Sequence, residues 1–162
     1  MDFKQSQNYI ASHREETIDI LSRFMETDVL LFWSNEAELS ACQKNCWQPI
    51  LDDLNSVFKL CPQTTTKLYP PKNKDAEIAF KNHLETLSDK ELTACFLASA
   101  EMKSVLLGLM LSKRKISAQK AFNAAFLEEL YQNKLWGKDA AAANAQQNSL
   151  KNLVEIERLL NC

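Results

Sequence analysis

The sequence contains very little glycine: Gly108 and Gly137 are the only 2 in 162 residues. A P-loop or a dinucleotide fingerprint needs several glycines in one short loop, so the sequence excludes both kinds of nucleotide site. Long hydrophobic runs are missing as well. The longest one, from Val105 to Leu111, is far shorter than the roughly 20 residues that a membrane span requires. We therefore expect a soluble protein that is not inserted in a membrane.

Residues suited to catalysis or metal binding are also scarce. His13 and His83 are the only histidines, and neither stands beside a recognisable nucleophile motif, although a triad can assemble from distant positions. Cys42 and Cys46 lie four residues apart with no histidine nearby, whereas a zinc site needs four ligands. We read these two cysteines as core thiols. The sequence predicts no enzyme, no metal and no cofactor.

The charge is nearly balanced, with 19 basic and 21 acidic residues and a formal net charge of -2. Such a protein has no long-range field that would gather nucleic acid or anionic lipid. The number of cysteines, 5, is odd in a chain too large to need disulfides, which favours free thiols in a reducing compartment. These features indicate a cytoplasmic protein, and we expect it to be a monomer.

Apolar residues recur at helical spacing along most of the chain, which predicts an all-α fold in a single domain over residues 1–162. The predicted helices, about six in number, span approximately 13–27, 35–58, 75–87, 88–110, 117–136 and 139–161. Capping boxes are expected at Ser12 with Glu15, Asn35 with Glu38, and Ser88 with Glu91, and Ser117 should cap the fifth helix.

Other local features of the sequence refine this picture. Pro49 should bend the second helix or begin a new segment, and Gly108 should permit a close helix crossing. Residues 61–73 carry three prolines and are expected to form a loop. A short strand-like segment is possible near 28–33 or 65–69, and periodicity does not decide between strand and helix for the first of these.

The fifth predicted helix contains an unusual stripe. Glu128, Gln132 and Trp136 lie four residues apart on one face, and Gly137 follows as a left-handed cap. Most other directions of this helix carry apolar side chains, which is typical of a buried helix. The carboxylate of Glu128 must then find a donor inside the protein or be presented to a partner.

The residues around this stripe resemble a known family. Leu127-Glu128-Glu129, followed by Tyr131-Gln132 and Trp136-Gly137, resembles the carboxy-terminal signature of the ATP-twelve family, the chaperones that assemble the F(1) sector of ATP synthase by attending its alpha subunit. Other segments that resemble family elements occur in the family's order: Thr27-Asp28-Val29-Leu30, Gln43 with Trp47-Gln48-Pro49, and Ser99 to Leu111. The resemblance extends from about Ser12 to Leu160.

The resemblance implies a non-enzymatic chaperone that binds free alpha subunit until the beta subunit replaces it. It implies that Glu128 is the functional acid, with Glu129, Gln132 and Trp136 as neighbours on the binding surface. A bacterial member would be cytoplasmic, and a processed eukaryotic member would lie in the mitochondrial matrix. Gln48 departs from the family pattern, which usually has aspartate there, and Val29 stands in place of threonine.

The family resemblance covers the helical carboxy-terminal part only. Family members carry an amino-terminal domain with β structure before the first helix, and the sequence leaves open whether its absence is a truncation or a natural loss.

Three alternatives to a partner-binding stripe stay open at this stage. Glu128 could be a structural acid paired with Arg14, Arg23 or Arg158, with Trp136 in the core. The protein could be a helical ligand-binding or regulatory domain, in which case a cavity is expected among four aromatic residues: Trp33, Trp47, Phe122 and Phe126. An enzyme would instead show titratable groups with perturbed pKa values converging in one cleft.

Overall fold

A computed structural model describes residues 2–137 and 139–162. Within these residues the chain forms nine α-helices and no strand, which confirms the predicted all-α class. The helices are α1 (Phe3–Ser12), α2 (Arg14–Phe24), α3 (Ala37–Phe58), α4 (Lys74–Glu85), α5 (Asp89–Met102), α6 (Val105–Ser112), α7 (Ala118–Ala125), α8 (Leu127–Trp136) and α9 (Ala140–Leu160). Nine helices replace the predicted six because α1 is additional and two predicted helices are each divided.

Helix α1 lies where the sequence analysis expects no helix. Asp2 caps it by accepting a hydrogen bond from the backbone N–H of Gln5 at 3.0 Å, and Phe3 and Ile10, seven residues apart, are its buried side chains. Ser12 is the last residue of α1, and its hydroxyl donates to the carbonyl of Asn8. The predicted capping box at Ser12 is therefore wrong. Helix α1 was not predicted because only two of its ten residues are buried, which gives a weak helical periodicity.

Helix α3 runs through Pro49 as one continuous helix of 22 residues. Pro49 therefore does not begin a new segment. The residue before α3 is Glu36, whose side chain makes no capping hydrogen bond, so the predicted box at Asn35 and Glu38 is also wrong. The helix ends where Lys59 adopts a left-handed conformation with φ of 57°.

The two candidate strand-like segments meet each other without forming a sheet. Residues Val29–Leu31 form a 3₁₀ turn, and Phe32 makes an isolated parallel bridge with Thr65. The backbone N–H of Trp33 donates to the carbonyl of Thr65 at 2.8 Å, and the N–H of Thr65 donates to the carbonyl of Leu31 at 2.7 Å. This bridge fixes the chain between the 3₁₀ turn Val29–Leu31 and the start of α3.

Helix α6 occupies the centre of the protein, and all eight of its residues are buried. The predicted fourth helix is divided before it, because Lys103 adopts a left-handed conformation and Ser104 caps a new helix by accepting from the N–H of Leu107. Gly108 faces α5: a Cβ built there would lie 2.1 Å from Oγ of Ser99 and 2.9 Å from the carbonyl oxygen of Cys95. The predicted close crossing at Gly108 is confirmed.

The capping box at the start of α5 is formed as the sequence predicts. The Ser88 hydroxyl accepts from the N–H of Glu91 at 3.1 Å, and the Glu91 carboxylate accepts from the N–H of Ser88 at 3.0 Å. We expect Ser88→Ala to lower the free energy of unfolding by about 1 kcal/mol, because one N–H at the helix start loses its acceptor. Urea denaturation followed by circular dichroism measures this change.

A matched control for the cap is Ser56→Ala, in which an exposed serine inside α3 is replaced by the same residue. Its hydroxyl donates only to the carbonyl of Asp53. We expect no loss of stability from this change. Equal destabilisation by the two substitutions would contradict a capping role for Ser88.

Candidate functional site

The candidate site lies on α8, which the sequence analysis had joined to α7 as one helix. The structure divides them at Phe126, whose φ of -100° and ψ of 16° end α7. Ser117 caps α7 by accepting from the N–H of Lys120, as predicted. The stripe of Glu128, Gln132 and Trp136 therefore lies on α8 alone.

No residue of α8 is fully buried, although the structure describes all ten of its positions. Leu127 and Leu130 are half-buried against the core, but Leu135 is 51% exposed and Trp136 is 83% exposed. The prediction of a buried helix is wrong because the buried Phe122 belongs to the other helix. Reading Trp136 as a core residue is wrong as well, since it lies at the exposed end of α8.

Gly137 ends α8 with a positive φ of 85°, a backbone conformation that favours glycine. Its ψ of 169° is extended, so the residue is not in the left-handed helical conformation that the sequence analysis expected. The N–H of Gly137 still donates to the carbonyl of Asn133 at 2.9 Å. The chain therefore leaves α8 abruptly, and Trp136 is left at the tip of the helix.

Glu128 is half-buried, and its partner is an amide. Nε2 of Gln43 donates to Oε1 of Glu128 at 3.0 Å, and the Gln43 side chain is completely buried on α3. The alternative in which Glu128 pairs with Arg14, Arg23 or Arg158 is therefore wrong. Two of the three candidate arginines make ion pairs elsewhere, Arg14 with Asp89 and Arg158 with Glu155.

A second contact joins α8 to the start of α3. The hydroxyl of Tyr131 donates to Oε1 of Glu36 at 2.7 Å and lies 3.2 Å from Oε2 of Glu38. The hydrogen bond to Glu36 and the negative charge of both carboxylates raise the pKa of Tyr131. The phenol therefore stays protonated at neutral pH and remains a donor between α8 and α3.

The opposite side of α8 contacts α9. Nε2 of Gln146 donates to Oε2 of Glu129 at 3.3 Å, and Nδ2 of Asn133 donates to Oε1 of Gln146 at 3.2 Å. Gln146 is 4% exposed, so its amide is satisfied by these two residues of α8. Polar contacts hold both sides of α8, while Gln132 and Trp136 are exposed to solvent.

The four predicted site residues thus lie on one short helix but in different environments. Glu128 is half-buried against α3, Glu129 is exposed and bonded to α9, and Gln132 and Trp136 are exposed. This surface offers a fixed carboxylate, further acidic groups and a large aromatic ring. Such a combination is suited to binding a protein partner that carries basic and apolar groups.

The aromatic residues that a ligand-binding domain would need are packed against one another. Trp33 meets Trp47 edge to face with ring centroids 6.0 Å apart, and Phe122 stacks on Phe126 at 4.7 Å. Trp47 is completely buried, and its Nε1 donates to the carbonyl of Ala124 at 2.8 Å. These rings belong to the packed core.

The cysteines are free thiols, as predicted. Cys42 is exposed, which corrects its interpretation as a core thiol, and Cys46 is half-buried. Burial, and secondarily the nearby Cys42, raise the pKa of the Cys46 thiol. Over residues 2–137 and 139–162, no group of three or more histidine, cysteine or acidic side chains is placed to hold a metal ion. In the same part of the chain, no helix has the length and apolar character to cross a membrane.

The sequence analysis did not identify Gln43 and Tyr131 as members of this site. A signal for Gln43 was present, because it lies between Leu39 and Trp47 on a buried stripe of α3 and interrupts that stripe with a polar group. A buried amide requires partners for both its ends. The identity of those partners depends on the fold, since Glu128 is 85 residues away in sequence.

Comparison with known proteins gives no match to a protein-family model. The mitochondrial protein Atp12 of Schizosaccharomyces pombe is 25% identical over 166 residues, an alignment that includes 94% of this chain and 56% of that protein. The chain therefore spans just over half the length of this curated relative.

Two solved bacterial structures share the fold. The crystal structure of Atp12 from Paracoccus denitrificans superposes with a TM-score of 0.88 and 22% identity, covering 94% of this chain and 66% of that one. A protein of Agrobacterium tumefaciens that is provisionally described as a chaperone superposes with a TM-score of 0.78 and 22% identity, covering 93% and 59% of the two chains. The arrangement of the helices is thus that of the matched part of the Paracoccus denitrificans structure.

Proposed function

Because this chain is a homologue of Atp12, we propose that it is a chaperone for assembly of the ATP synthase F(1) sector. In this proposal it binds free alpha subunit and covers the surface that the beta subunit later occupies. The observation that carries the proposal is the exposure of α8. Its sequence resembles the family signature. Helix α8 carries the carboxylate of Glu128, which Gln43 holds in place, and the exposed side chain of Trp136.

The physical task requires binding without turnover. An unassembled subunit exposes a large apolar interface, which promotes aggregation. A protein that binds this interface reversibly stabilises the free subunit by mass action and is displaced when a tighter partner arrives. The proposed chaperone therefore acts as a non-enzyme, in the bacterial cytoplasm or in the mitochondrial matrix of a eukaryote.

Glu128 is the acid that we propose to contact the alpha subunit. Trp136 would be an apolar anchor, because large exposed aromatic side chains dominate the energetics of many interfaces. Glu129 and Gln132 would lie between them on the same surface. Gln48 replaces the usual family aspartate, and it donates to Oδ1 of Asp52 at 2.9 Å, so a carboxylate is present one turn further along α3.

The proposal is tested by expressing the organism's own alpha subunit with and without this chain. We expect more soluble alpha subunit in the presence of the chain, and a complex that survives size-exclusion chromatography. The chain alone should elute as a monomer. Unchanged solubility together with no recovered complex would contradict the proposed function.

Charge reversal at Glu128 should abolish complex formation. Glu128→Lys places a cation where the partner meets a carboxylate, and it also removes the acceptor of Gln43. We expect the helical circular dichroism to be retained, with a loss of about 1–2 kcal/mol in the free energy of unfolding from the unpaired amide. Co-purification of alpha subunit with the variant measures the effect.

Glu128→Gln and Glu16→Lys are the matched controls. The first keeps an oxygen acceptor for Gln43 and removes only the charge, so it should weaken binding without changing the melting temperature. The second reverses a charge on the exposed face of α2 and should leave binding unchanged. Loss of folding in Glu128→Lys would instead favour a purely structural role for this acid.

A further inference from the structure

The orientation of the Gln43 side chain is fixed by its surroundings. Its Oε1 accepts a hydrogen bond from the backbone N–H of Ser34 at 2.8 Å, and its Nε2 donates to Oε1 of Glu128 at 3.0 Å. A backbone N–H can only donate, so the oxygen of the amide must face Ser34. The amide NH₂ must then face α8. If the amide were flipped, its NH₂ group would face the N–H of Ser34 and its oxygen would face Oε1 of Glu128. Neither pair could then form a hydrogen bond.

The donor at Ser34 is itself held in place. The preceding residue, Trp33, donates through its backbone N–H to Thr65 and through its indole Nε1 to the carbonyl of Leu30 at 2.9 Å. Its ring also packs against the edge of Trp47, one turn beyond Gln43 on α3. A rigid set of core contacts therefore fixes both the position and the polarity of the Gln43 amide.

We propose that Gln43 is a positioning residue for Glu128: its buried amide binds one carboxylate oxygen, Oε1, and leaves Oε2 to the partner. This inference rests on the proposed function, in which Glu128 contacts the alpha subunit. A glutamate on a surface helix otherwise samples several rotamers and loses that freedom on binding. The amide of Gln43 removes this cost before the partner arrives.

The informative substitution is Gln43→Glu, which conserves size and keeps an oxygen acceptor for Ser34. At pH 8 the introduced carboxylate cannot donate to Glu128 and repels it, so we expect affinity for purified alpha subunit to fall about tenfold or more. Lowering the pH to 5.5 favours protonation of the introduced carboxyl, because it is buried beside a second carboxylate, and the protonated group is an O–H donor with the shape of glutamine. We therefore expect its affinity to recover towards that of the unsubstituted protein at the same pH.

Gln43→Met is the matched control, since it has a similar size but no donor at any pH. We expect it to bind weakly at both pH values. If Gln43 serves core stability alone, binding by each variant should follow its melting temperature at each pH. Weak binding by folded Gln43→Glu at pH 8, with recovery at pH 5.5 that its melting temperature does not account for, therefore distinguishes positioning from stability. Circular dichroism at each pH identifies any variant that is unfolded.

A second measurement does not depend on the partner or on either Gln43 variant. The side-chain NH₂ signals of Gln43 in a ¹H–¹⁵N spectrum should move strongly in Glu128→Ala, while signals of α1 and α2 stay in place. Unmoved NH₂ signals would overturn the proposal. So would Gln43→Glu binding as tightly at pH 8 as the unsubstituted chain, or staying weak at pH 5.5 while folded. Failure of the unsubstituted chain to bind alpha subunit would instead overturn the proposed function.

Discussion

Replacing Gly108 with valine is expected to cost more than about 4 kcal/mol of unfolding free energy, enough to unfold much of a marginally stable domain. A Cβ at this position would lie 2.9 Å from the carbonyl oxygen of Cys95, which belongs to the backbone of α5 and cannot rotate away. The same Cβ would lie 2.1 Å from Oγ of Ser99. Because α6 is buried along its whole length, it can relieve these contacts only by separating from α5.

Two variants separate this steric effect from the general cost of replacing glycine. Adding Ser99→Ala to Gly108→Ala removes the contact with Oγ and should recover part of the stability that Gly108→Ala loses. Gly137→Ala tests the other glycine, where a Cβ meets nothing within 4 Å and only the positive φ is unfavourable, at a cost of about 1 kcal/mol. Urea denaturation measures all of them. A Gly108→Val protein that unfolds at the same urea concentration as the unsubstituted chain would refute the close crossing.

Replacing Asp28 with alanine is expected to cost about 3–5 kcal/mol, the second large effect. The Asp28 carboxylate is buried at the start of α6 and accepts hydrogen bonds from the N–H groups of Leu30 and Leu106 and from the hydroxyl of Ser104. Ser104 in turn accepts from the N–H of Leu107. Alanine leaves the two buried N–H groups of Leu30 and Leu106 without this acceptor, and it removes the carboxylate that accepts from the hydroxyl of Ser104.

Asp28 also makes stability depend on pH. Burial raises its pKa from 3.8 to about 6, against the opposing effect of its hydrogen bonds. Between these two values the folded protein binds a proton that the unfolded chain has released, so this group's contribution to stability falls as pH rises from about 4 to about 6. The contribution is at most about 3 kcal/mol, at roughly 1.4 kcal/mol per pKa unit.

Asp28→Asn tests the sign of this dependence, since asparagine has the same shape and does not titrate. As pH is lowered from 7 to 4, the free energy of unfolding of the unsubstituted chain should rise relative to that of Asp28→Asn. Urea denaturation of both proteins at several pH values gives that difference. A shift in the opposite direction would mean that the folded state lowers the pKa of Asp28.

The features that the sequence predicts well are those that depend on neighbouring residues. Ser88 and Ser117 each stand directly before a helix, and each caps it through an N–H three residues ahead. The division between α5 and α6 could not be predicted in this way. It requires Lys103 in a left-handed conformation and the carboxylate of Asp28 at the start of α6, more than 70 residues away in sequence.

The candidate site could likewise be predicted only as far as it depends on neighbouring residues. The stripe of Glu128, Gln132 and Trp136 follows from helical spacing alone, and the structure does place these residues on one helix. The predicted burial of that helix is wrong, because the break at Phe126 assigns the buried Phe122 to α7 and leaves α8 with no fully buried residue. The partner of Glu128 was also missed, since any donor brought near by the fold could have satisfied it.

Site-specific photocrosslinking tests whether α8 contacts the alpha subunit. A photoreactive amino acid is placed at Gln132 on the exposed face of α8, or at Glu16 on α2 as the control, and each protein is irradiated with purified alpha subunit. We expect a covalent product with alpha subunit from position 132 and none from position 16. A product from position 16 alone would contradict it.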